Sequence, residues 1–126
     1  MQDQDLTETI IGCAMKVHGT LGTGYLESVY QKALTHELMK IGLYIECEKP
    51  IPVRYDGINV GDFFADMLVE KKVILELKAI QSIALSHEVQ LVNYLTATGI
   101  EIGILLYFGA KRLEFKRKTR TYKPSF

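Results

Sequence analysis

With 126 residues, 48% of them hydrophobic and 24% charged, the chain is long enough for one globular domain with a single hydrophobic core. Its formal net charge is zero, so the overall charge balance lacks the strongly basic footprint of many nucleic-acid-binding proteins. No stretch approaches the roughly 18 uninterrupted apolar residues of a membrane span, and the opening residues MQDQDLTETI are acidic and polar where a secretory signal is basic and then apolar. We therefore expect a cytoplasmic protein without a membrane segment.

The first part of the chain predicts two helices. Apolar residues recur at helical spacing over residues 5–18, and the same spacing returns over residues 25–41, where Gly42 stops the pattern. The linker between them, GTLGTG, holds three glycines in six residues, which favours a sharp change of chain direction. The two helices are therefore expected to form a helical hairpin or corner.

Beyond these helices the hydrophobic pattern changes to that of strands and one further helix. Short turns at DG (residues 56–57) and EKK (residues 70–72) separate three strands, which predicts an antiparallel meander. The following helix ends at Gly99, and two short strands come after it. The order α-α-β-β-β-α-β-β predicts one α+β (mixed α/β) domain over residues 1–126, with strands at residues 44–55, 58–69, 73–80, 102–108 and 112–115 and the third helix at residues 84–98.

The charge is unevenly distributed along the chain. The segment after Ala110, KRLEFKRKTRTYKPSF, carries seven Lys and Arg against one Glu, and we call it the basic terminal segment. Such a segment fits attraction to a polyanion such as nucleic acid. A solvated edge strand and a frayed chain end, kept soluble by Lys and Arg, explain the same composition at least as well.

The stretch VILELKA, residues 73–79, is largely apolar on both faces of an extended chain, yet it places two charges on one of them. Glu76 and Lys78 share that face because side chains alternate along a strand. A strand of this kind belongs in the middle of a sheet that is covered on both sides. An ionised side chain buried there without a partner costs several kcal/mol, so something must offset the charge.

The preceding strand, GDFFADMLV, supplies a second acidic group. Its only charges are Asp62 and Asp66, and a turn centred on Lys71 sets Asp66 directly opposite Glu76 in an antiparallel register. The same register pairs Leu68 with Ile74 and Phe64 with Lys78. The side chains expected on the other face of this hairpin are Ala65, Met67, Leu75 and Leu77.

The two facing carboxylates repel each other, and they do so more strongly where water is excluded. The arrangement is implausible as a stabilising device, but it makes sense with a divalent cation between the two groups. Mg²⁺ is commonly held by one or two carboxylates together with water and substrate phosphate oxygens, so Asp66 and Glu76 can form half a coordination shell. Lys78 is then expected beside the metal-bound water or a scissile phosphate.

The predicted third helix carries a polar stripe. Gln90 shares a helix face with Ser86, His87, Asn93 and Tyr94, and this stripe contains no Lys or Arg. An exposed face of an amphipathic helix explains the pattern, and so does the margin of a site that uses neutral hydrogen-bonding groups. The sequence alone leaves both interpretations open.

Glu27 begins the apolar stripe of the second helix, within about 60° of Tyr30 around the helix axis. A carboxylate that points inward at a helix N-terminus has two interpretations. It is either a charge favourably placed on the helix dipole or a further metal ligand. Helix geometry alone favours the first.

The segment GYLESVY, residues 24–30, resembles the G-x-x-E-x-x-Y motif for which the GxxExxY protein family is named. The stretches IIGCAMKVHGTLGTGYLESVYQKAL, EKPIPVRYDG, DFFADMLV to LELKA, EVQLVNYL and ILLYFG are similar to that family in order and spacing, so the resemblance covers nearly the whole chain. It implies membership of the PD-(D/E)XK nuclease-like superfamily. The expected fold is then a restriction-endonuclease-like core with a central mixed sheet flanked by helices, and the expected chemistry is phosphodiester hydrolysis with Mg²⁺ or Mn²⁺.

Carried over residue by residue, the resemblance implies four catalytic residues. Asp66 matches the shared aspartate and Glu76 the second metal ligand of an E-x-K motif. Lys78 matches the lysine that orients the attacking water or helps to deprotonate it. Glu27 corresponds to the acidic residue that many superfamily members direct at the metal site from the leading helix, so it joins the predicted metal ligands.

Three further residues are implied as substrate-binding or supporting groups. Gln90 and Tyr94 resemble the Q-x-x-x-Y pattern on the helix after the core strands in some nuclease branches. We expect them to contact substrate or to hold the catalytic lysine. Tyr30 belongs to the family motif, and we expect it to pack with its hydroxyl hydrogen-bonded near the site.

The first functional hypothesis is therefore a metal-dependent nuclease that acts on DNA or RNA. The second is a non-catalytic nucleic-acid-binding module on the same fold, which uses the basic terminal segment for phosphate contacts. The third is an interaction protein, for instance a homodimer formed through the apolar ILLYFG region. A chain this small has little surface for sequence-specific readout, so a homodimer or a partner protein is a reasonable expectation.

Overall fold

Two helices, a three-stranded meander, a third helix and two final strands follow one another along the chain, which confirms the predicted order. The computed structural model describes residues 2–120. Its elements are α1 (Asp3–Leu21), α2 (Glu27–Lys40), β1 (Ile45–Tyr55), β2 (Ile58–Val69), β3 (Val73–Lys78), α3 (Leu85–Thr98), β4 (Ile102–Tyr107) and β5 (Glu114–Thr119). No helix within residues 2–120 is long and apolar enough to cross a membrane.

The five strands form one mixed sheet in the order β1-β2-β3-β4-β5. All neighbouring strands are antiparallel except β3 and β4, which are parallel. A parallel pair needs a crossover connection, and α3 provides it. β3 and β4 lie at the centre, where nearly every residue is buried, as expected for strands covered on both sides.

The sheet buries one apolar cluster on each face. α1 and α2 cover the first, which we call the α1/α2 face, and α3 covers the second, the α3 face. The buried cluster of the α1/α2 face consists of Leu6, Ile10, Ala14, Val17, Tyr30, Leu34, Leu38, Met67, Val69, Val73, Leu75, Leu77, Ile102, Ile104, Leu106 and Phe108. The smaller cluster of the α3 face consists of Ile51, Ala65, Leu68, Ile74, Leu91, Tyr94, Leu95, Leu105 and Tyr107.

The last strand lies farther along the chain than the sequence pattern predicts. The prediction is residues 112–115, whereas β5 runs from Glu114 to Thr119. Its side chains are almost all exposed at the edge of the sheet, so no alternation of apolar residues marks its extent. Lys and Arg along an edge discourage pairing with other chains. The predicted frayed end of the basic terminal segment, residues 121–126, lies outside the described residues.

The register of β2 against β3 follows the prediction only in part. Leu68 lies opposite Ile74 as expected, and the ladder ends at the next pair, Met67 with Leu75. The two strands therefore separate before the acidic residues. The ladder pairs expected beyond this point were wrong, namely Asp66 with Glu76 and Phe64 with Lys78.

β2 is distorted at Asp66 on its other side as well. The register with β1 would set Glu48 opposite Asp66, but this pair is missing from the ladder, and Glu48 has a left-handed φ of 51°. Ala65 packs on the α3 face and Met67 on the α1/α2 face, although two residues this far apart share a face in a regular strand. The prediction that they share a face was wrong because the interruption at Asp66 reorients the strand.

Candidate active site

Two acidic side chains take over the hydrogen bonds of the ladder where β2 and β3 separate. The backbone N–H of Asp66 donates to Glu76 Oε2 at 2.7 Å, and the N–H of Leu77 donates to Asp66 Oδ2 at 2.8 Å. Each carboxylate thus binds the backbone of the opposite strand. One oxygen of each group is used in this exchange, which leaves the other oxygen for a further ligand.

Both carboxyl groups are difficult to ionise in this position. Glu76 is only 4% exposed. Burial, followed by the neighbouring charge of Asp66, raises the pKa of Glu76 to about 8, against the smaller opposing effects of the Asp66 N–H and Lys78. Burial also raises the pKa of Asp66, although the N–H of Leu77 lowers it. A positive charge between these groups would therefore stabilise both carboxylates.

Lys78 and Glu27 lie at the exit of β3, next to the acidic pair. The half-buried Lys78 lowers the pKa of both carboxyl groups, so its ammonium is within electrostatic reach of them. Glu27, the first residue of α2, accepts a hydrogen bond from the Ala79 N–H at 3.2 Å, and its charge raises the pKa of Asp66. Glu27 is exposed, yet its carboxylate reaches the sheet as well as lying at the helix N-terminus.

A close backbone approach fixes the segment that leaves β3. The Phe108 N–H donates to the Lys78 carbonyl at 2.8 Å, beyond the end of β4. A Cβ on Gly109 would overlap the carbonyl group of Ile80. Glycine at this position lets the chain after β3 lie against the end of β4, and it thereby holds Ala79 where Glu27 binds it.

Glu48 is an additional carboxylate near the pair that the sequence did not reveal. Its charge raises the pKa of both Asp66 and Glu76. It accepts a hydrogen bond from Gln31 Nε2 at 3.3 Å, which ties β1 to α2. Its left-handed backbone, at the point where the β1–β2 ladder is interrupted, is the structural feature that distinguishes it.

The donor set fits a small hard cation with an incomplete protein shell. Within residues 2–120, no three or more His, Cys, Asp or Glu side chains converge as a complete metal-binding group. Mg²⁺ rarely needs such a cage, because it is commonly bound by one or two carboxylates plus water and phosphate oxygens. Asp66 and Glu76 match this donor chemistry, and the shift of the Glu76 pKa marks a place where a cation would relieve repulsion.

Tyr94 approaches the acidic pair from the α3 face. Its side chain is almost fully buried, and burial, followed by the charges of Glu76 and Asp66, raises its pKa. Gln90, one turn earlier on α3, is exposed. Tyr94 and Gln90 both line a cleft of about 840 Å³ between α3 and the outer part of β1 and β2. Ser86, Gln90, Asn93 and Tyr94 of the polar stripe thus line this cleft, whereas His87 lies against Tyr107, with its Nδ1 2.9 Å from the hydroxyl oxygen.

Tyr30 lies beneath the loop that precedes Glu27. It is buried, and its ring stacks on Phe108 with the centroids 4.5 Å apart. Its hydroxyl donates to the Gly22 carbonyl at 2.7 Å and accepts from the Tyr25 N–H at 3.3 Å. This placement makes Tyr30 a support for the loop, and its burial excludes direct contact with a substrate.

Comparison with known proteins agrees with this fold. A family model described as the PD-(D/E)XK nuclease superfamily matches residues 4–118. The crystal structure of SSO0001 is similar to this chain with a TM-score of 0.57 and 20% sequence identity, over 77% of this chain and 52% of that one. The present chain thus spans about half the length of that protein, and the likeness concerns the fold alone. No match to a curated protein was found.

The family match covers nearly all of both helical layers and of the five strands, and it includes the strands that carry Asp66 and Glu76. The mixed sheet with helices on both faces is the restriction-endonuclease-like arrangement expected from the sequence. Members of this superfamily generally use divalent metals and act on nucleic acids. From its sequence and its fold, the chain belongs to the PD-(D/E)XK nuclease superfamily.

Proposed function

We propose that this protein is a Mg²⁺- or Mn²⁺-dependent nuclease that hydrolyses phosphodiester bonds of DNA or RNA. The observation that carries the proposal is the pair of the half-buried Asp66 and the buried Glu76 at the separation of β2 and β3, with Lys78 beside it. When both groups are ionised, this acidic pair destabilises the fold unless a positive charge compensates for it. A divalent cation, which also binds a nucleic-acid phosphate, is the compensation that suits this superfamily.

In this proposal some residues would hold the cation, and others would position the substrate and the attacking water. Asp66 and Glu76 would hold the cation, with Glu27 as a third acidic group on its second side. A divalent cation held there would supply Lewis-acid charge and lower the pKa of bound water. Lys78 would place its ammonium beside the scissile phosphate and orient the attacking water. Tyr94, buried against the pair, would restrict the position of the substrate strand.

The GxxExxY motif has a structural explanation that supports membership of that narrower family. Gly24 has a φ of 103°, which other residues rarely adopt. Glu27 binds the exit of β3, and Tyr30 anchors the loop through the Gly22 carbonyl. The three defining positions thus hold the loop and the start of α2 so that the Glu27 carboxylate lies at the end of β3, near the acidic pair. We extend the proposal to this family and to a single cytoplasmic domain over residues 1–126.

Cleavage and metal-dependent stability test the proposal together. Asp66→Asn and Glu76→Gln keep the oxygen that accepts the cross-strand N–H but remove the charge, and Asp62→Asn, on an exposed residue of the same strand, is the matched control. We expect wild type and the control to cut labelled DNA or RNA with Mg²⁺ and to unfold at higher temperature with Mg²⁺ than with chelator. Both effects should vanish in the two site variants. Cleavage by Asp66→Asn at the wild-type rate would overturn the mechanism.

A non-catalytic nucleic-acid-binding or protein-interaction module is the second candidate. It is favoured by the backbone N–H groups that already occupy one oxygen of each carboxylate. Binding that falls steeply with salt, ignores Mg²⁺ and is lost when the basic terminal segment is truncated would support it. A homodimer with the same metal indifference would favour the interaction role.

A further inference from the structure

The cleft on the α3 face has a composition that the acidic site does not explain. It lies between α3 and the part of the β1–β2 hairpin that extends beyond β3, and it holds about 840 Å³. Phe63 and Arg54 line it from the strands, and Gln90, Asn93 and Tyr94 line it from α3. An aromatic ring, neutral amides and a guanidinium thus face one space.

We propose that this cleft binds an unpaired nucleobase, so that the preferred substrate is single-stranded or locally unpaired nucleic acid. The inference rests on the proposed nuclease function, and it names the substrate class of that same site. The base would stack on Phe63 and present its edge to the amides of Gln90 and Asn93. Arg54 would contact the phosphate backbone of the strand.

Phe63 is placed for stacking. It is 43% exposed although it is a large aromatic residue. Its ring lies 5.9 Å from the ring of Tyr94 at a tilt of 44°, so Tyr94 supports it from below while much of its surface stays open. A Cβ on Gly61 would lie 3.0 Å from Phe63 Cε2, so glycine leaves the room that the ring occupies. Aromatic side chains bind bases in this way because every base has a flat π face.

The charge of the cleft suits a nucleic-acid strand. Its lining contains no Asp or Glu within the described residues, and its single full positive charge is Arg54. The chain before the basic terminal segment carries fourteen acidic against eight basic residues, so a cleft wall without carboxylates is a local departure from the average. Amide side chains donate and accept hydrogen bonds, as the edges of bases require.

The cleft and the acidic pair share one residue. Tyr94 lines the cleft, and its phenol is close enough to Glu76 and Asp66 for their charges to raise its pKa. A base in the cleft would therefore place its own strand beside the candidate metal site. Bases within a duplex are stacked and paired, so a base can enter such a pocket only from an unpaired region or after flipping.

Binding measurements with chelator test this inference separately from cleavage. The probe is a labelled single strand of about ten nucleotides, compared by fluorescence anisotropy with an abasic strand of equal length and with a duplex. We expect wild type to bind the strand with bases more tightly than the other two. Phe63→Ala should weaken that binding roughly tenfold, as loss of one base–aromatic stack does, and Gln90→Ala should weaken it less. DNA and RNA strands, tested in parallel, identify which sugar the cleft accepts.

Tyr44→Ala is the matched control. Tyr44 is an aromatic residue that is 52% exposed, and it lies outside both the cleft and the basic terminal segment, so its loss should leave binding unchanged. Equal affinity for abasic and normal strands, or equal effects of Phe63→Ala and Tyr44→Ala, would overturn the cleft proposal. If metal-dependent cleavage is observed together with either of these results, the cleft proposal fails while the proposed nuclease function is supported. Base-dependent binding without cleavage would overturn the nuclease and keep the cleft as a binding site.

Discussion

The two faces of the sheet differ in the number of helices that cover them and in the polar groups that they bury. On the α1/α2 face two helices cover the strands, and the polar side chains buried there bind backbone carbonyls, as Thr7 does with Gln4 and His18 with Ala110. The α3 face has one helix, a smaller apolar cluster, a cleft and the buried carboxyl group of Glu76. The first face thus has the larger apolar cluster, and the second carries the candidate site and the cleft.

The lengths of the strands produce this difference. β2 has twelve residues and β3 has six, so the outer part of the β1–β2 hairpin extends past the centre of the sheet. A single helix of fourteen residues cannot cover that extension, and it leaves Phe63 in the wall of an open cleft. The acidic pair lies at the boundary, where β2 and β3 part. Sites of this kind are commonly less stable than the scaffold that supports them.

The largest effect should come from the α1/α2 face. Leu34 in α2 is fully buried in the apolar cluster, so Leu34→Ala is expected to lower the free energy of unfolding by about 2–5 kcal/mol through lost burial and the cavity that remains. Leu85→Ala, at a residue of α3 that is 74% exposed, should change it by less than about 0.5 kcal/mol. Urea unfolding of both variants measures the difference. Similar values for the two would contradict the burial of Leu34 in this cluster.

The acidic pair on the α3 face should make the free energy of unfolding of the protein depend on pH. The pKa of Glu76 is about 8 in the folded state against an ordinary value of 4.5, so the folded protein binds more protons than the unfolded chain between these values. Its free energy of unfolding should therefore fall as pH rises through this window, by a few kcal/mol in all, because each pH unit contributes up to about 1.4 kcal/mol per proton. At pH below about 4.5 the contribution of this group should be constant.

Glu76→Gln isolates that contribution. With chelator present, the variant should lose much of the fall in stability between about pH 5 and pH 8, and it should be more stable than wild type at the upper end. Asp62→Asn, exposed on β2, should keep the wild-type slope. Mg²⁺ should raise the stability of wild type most at high pH, since it competes with the proton on Glu76. Parallel pH profiles for wild type and Glu76→Gln would refute the buried titration.

Much of this arrangement could be predicted from local pattern. The alternation in VILELKA identified a central strand with Glu76 and Lys78 on one face, and the short turn at Lys71 fixed the register of Leu68 against Ile74. Both signals act over a few residues. The separation of the strands beyond that point was missed, because side-chain oxygens that replace ladder bonds leave no trace in hydrophobic periodicity.

Glu48 was missed for a different reason. The register of β1 against β2 shifts by one residue between Val53 and Arg54. Counting back from the Asp56-Gly57 turn without this shift sets Glu48 opposite Ala65, whereas the observed register aligns it with Asp66. A shift of one residue moves every later side chain to the other face of the sheet. Turn position alone therefore could not bring this carboxylate to the site.

Close packing of α3 on β4 predicts an effect of intermediate size. A Cβ on Gly103 would lie 2.7–3.0 Å from three side-chain carbons of the buried Leu91, so Gly103→Ala should cost about 1–3 kcal/mol of stability through overpacking. In the Gly103→Ala, Leu91→Ala double variant the two losses should sum to more than the measured loss, because the new methyl group fills part of the cavity. Gly12→Ala is the control, since nothing lies within 4 Å of that site in α1. Additive losses in the double variant would show that the Leu91 side chain does not pack closely against Gly103.

The smallest effect concerns the loop that presents Glu27. Tyr30→Phe keeps the ring stacked on Phe108 but removes the hydrogen bond to the Gly22 carbonyl, which should cost about 1 kcal/mol. Tyr25→Phe, on a half-exposed ring at the same loop, should cost less. Because Tyr30 supports the loop without touching substrate, its loss should lower the apparent affinity for Mg²⁺ in the unfolding assay and leave base binding in the cleft unchanged. Loss of strand binding in Tyr30→Phe at unchanged Mg²⁺ affinity would instead make Tyr30 part of the substrate surface, and the separation between a supporting α1/α2 face and a binding α3 face would not hold.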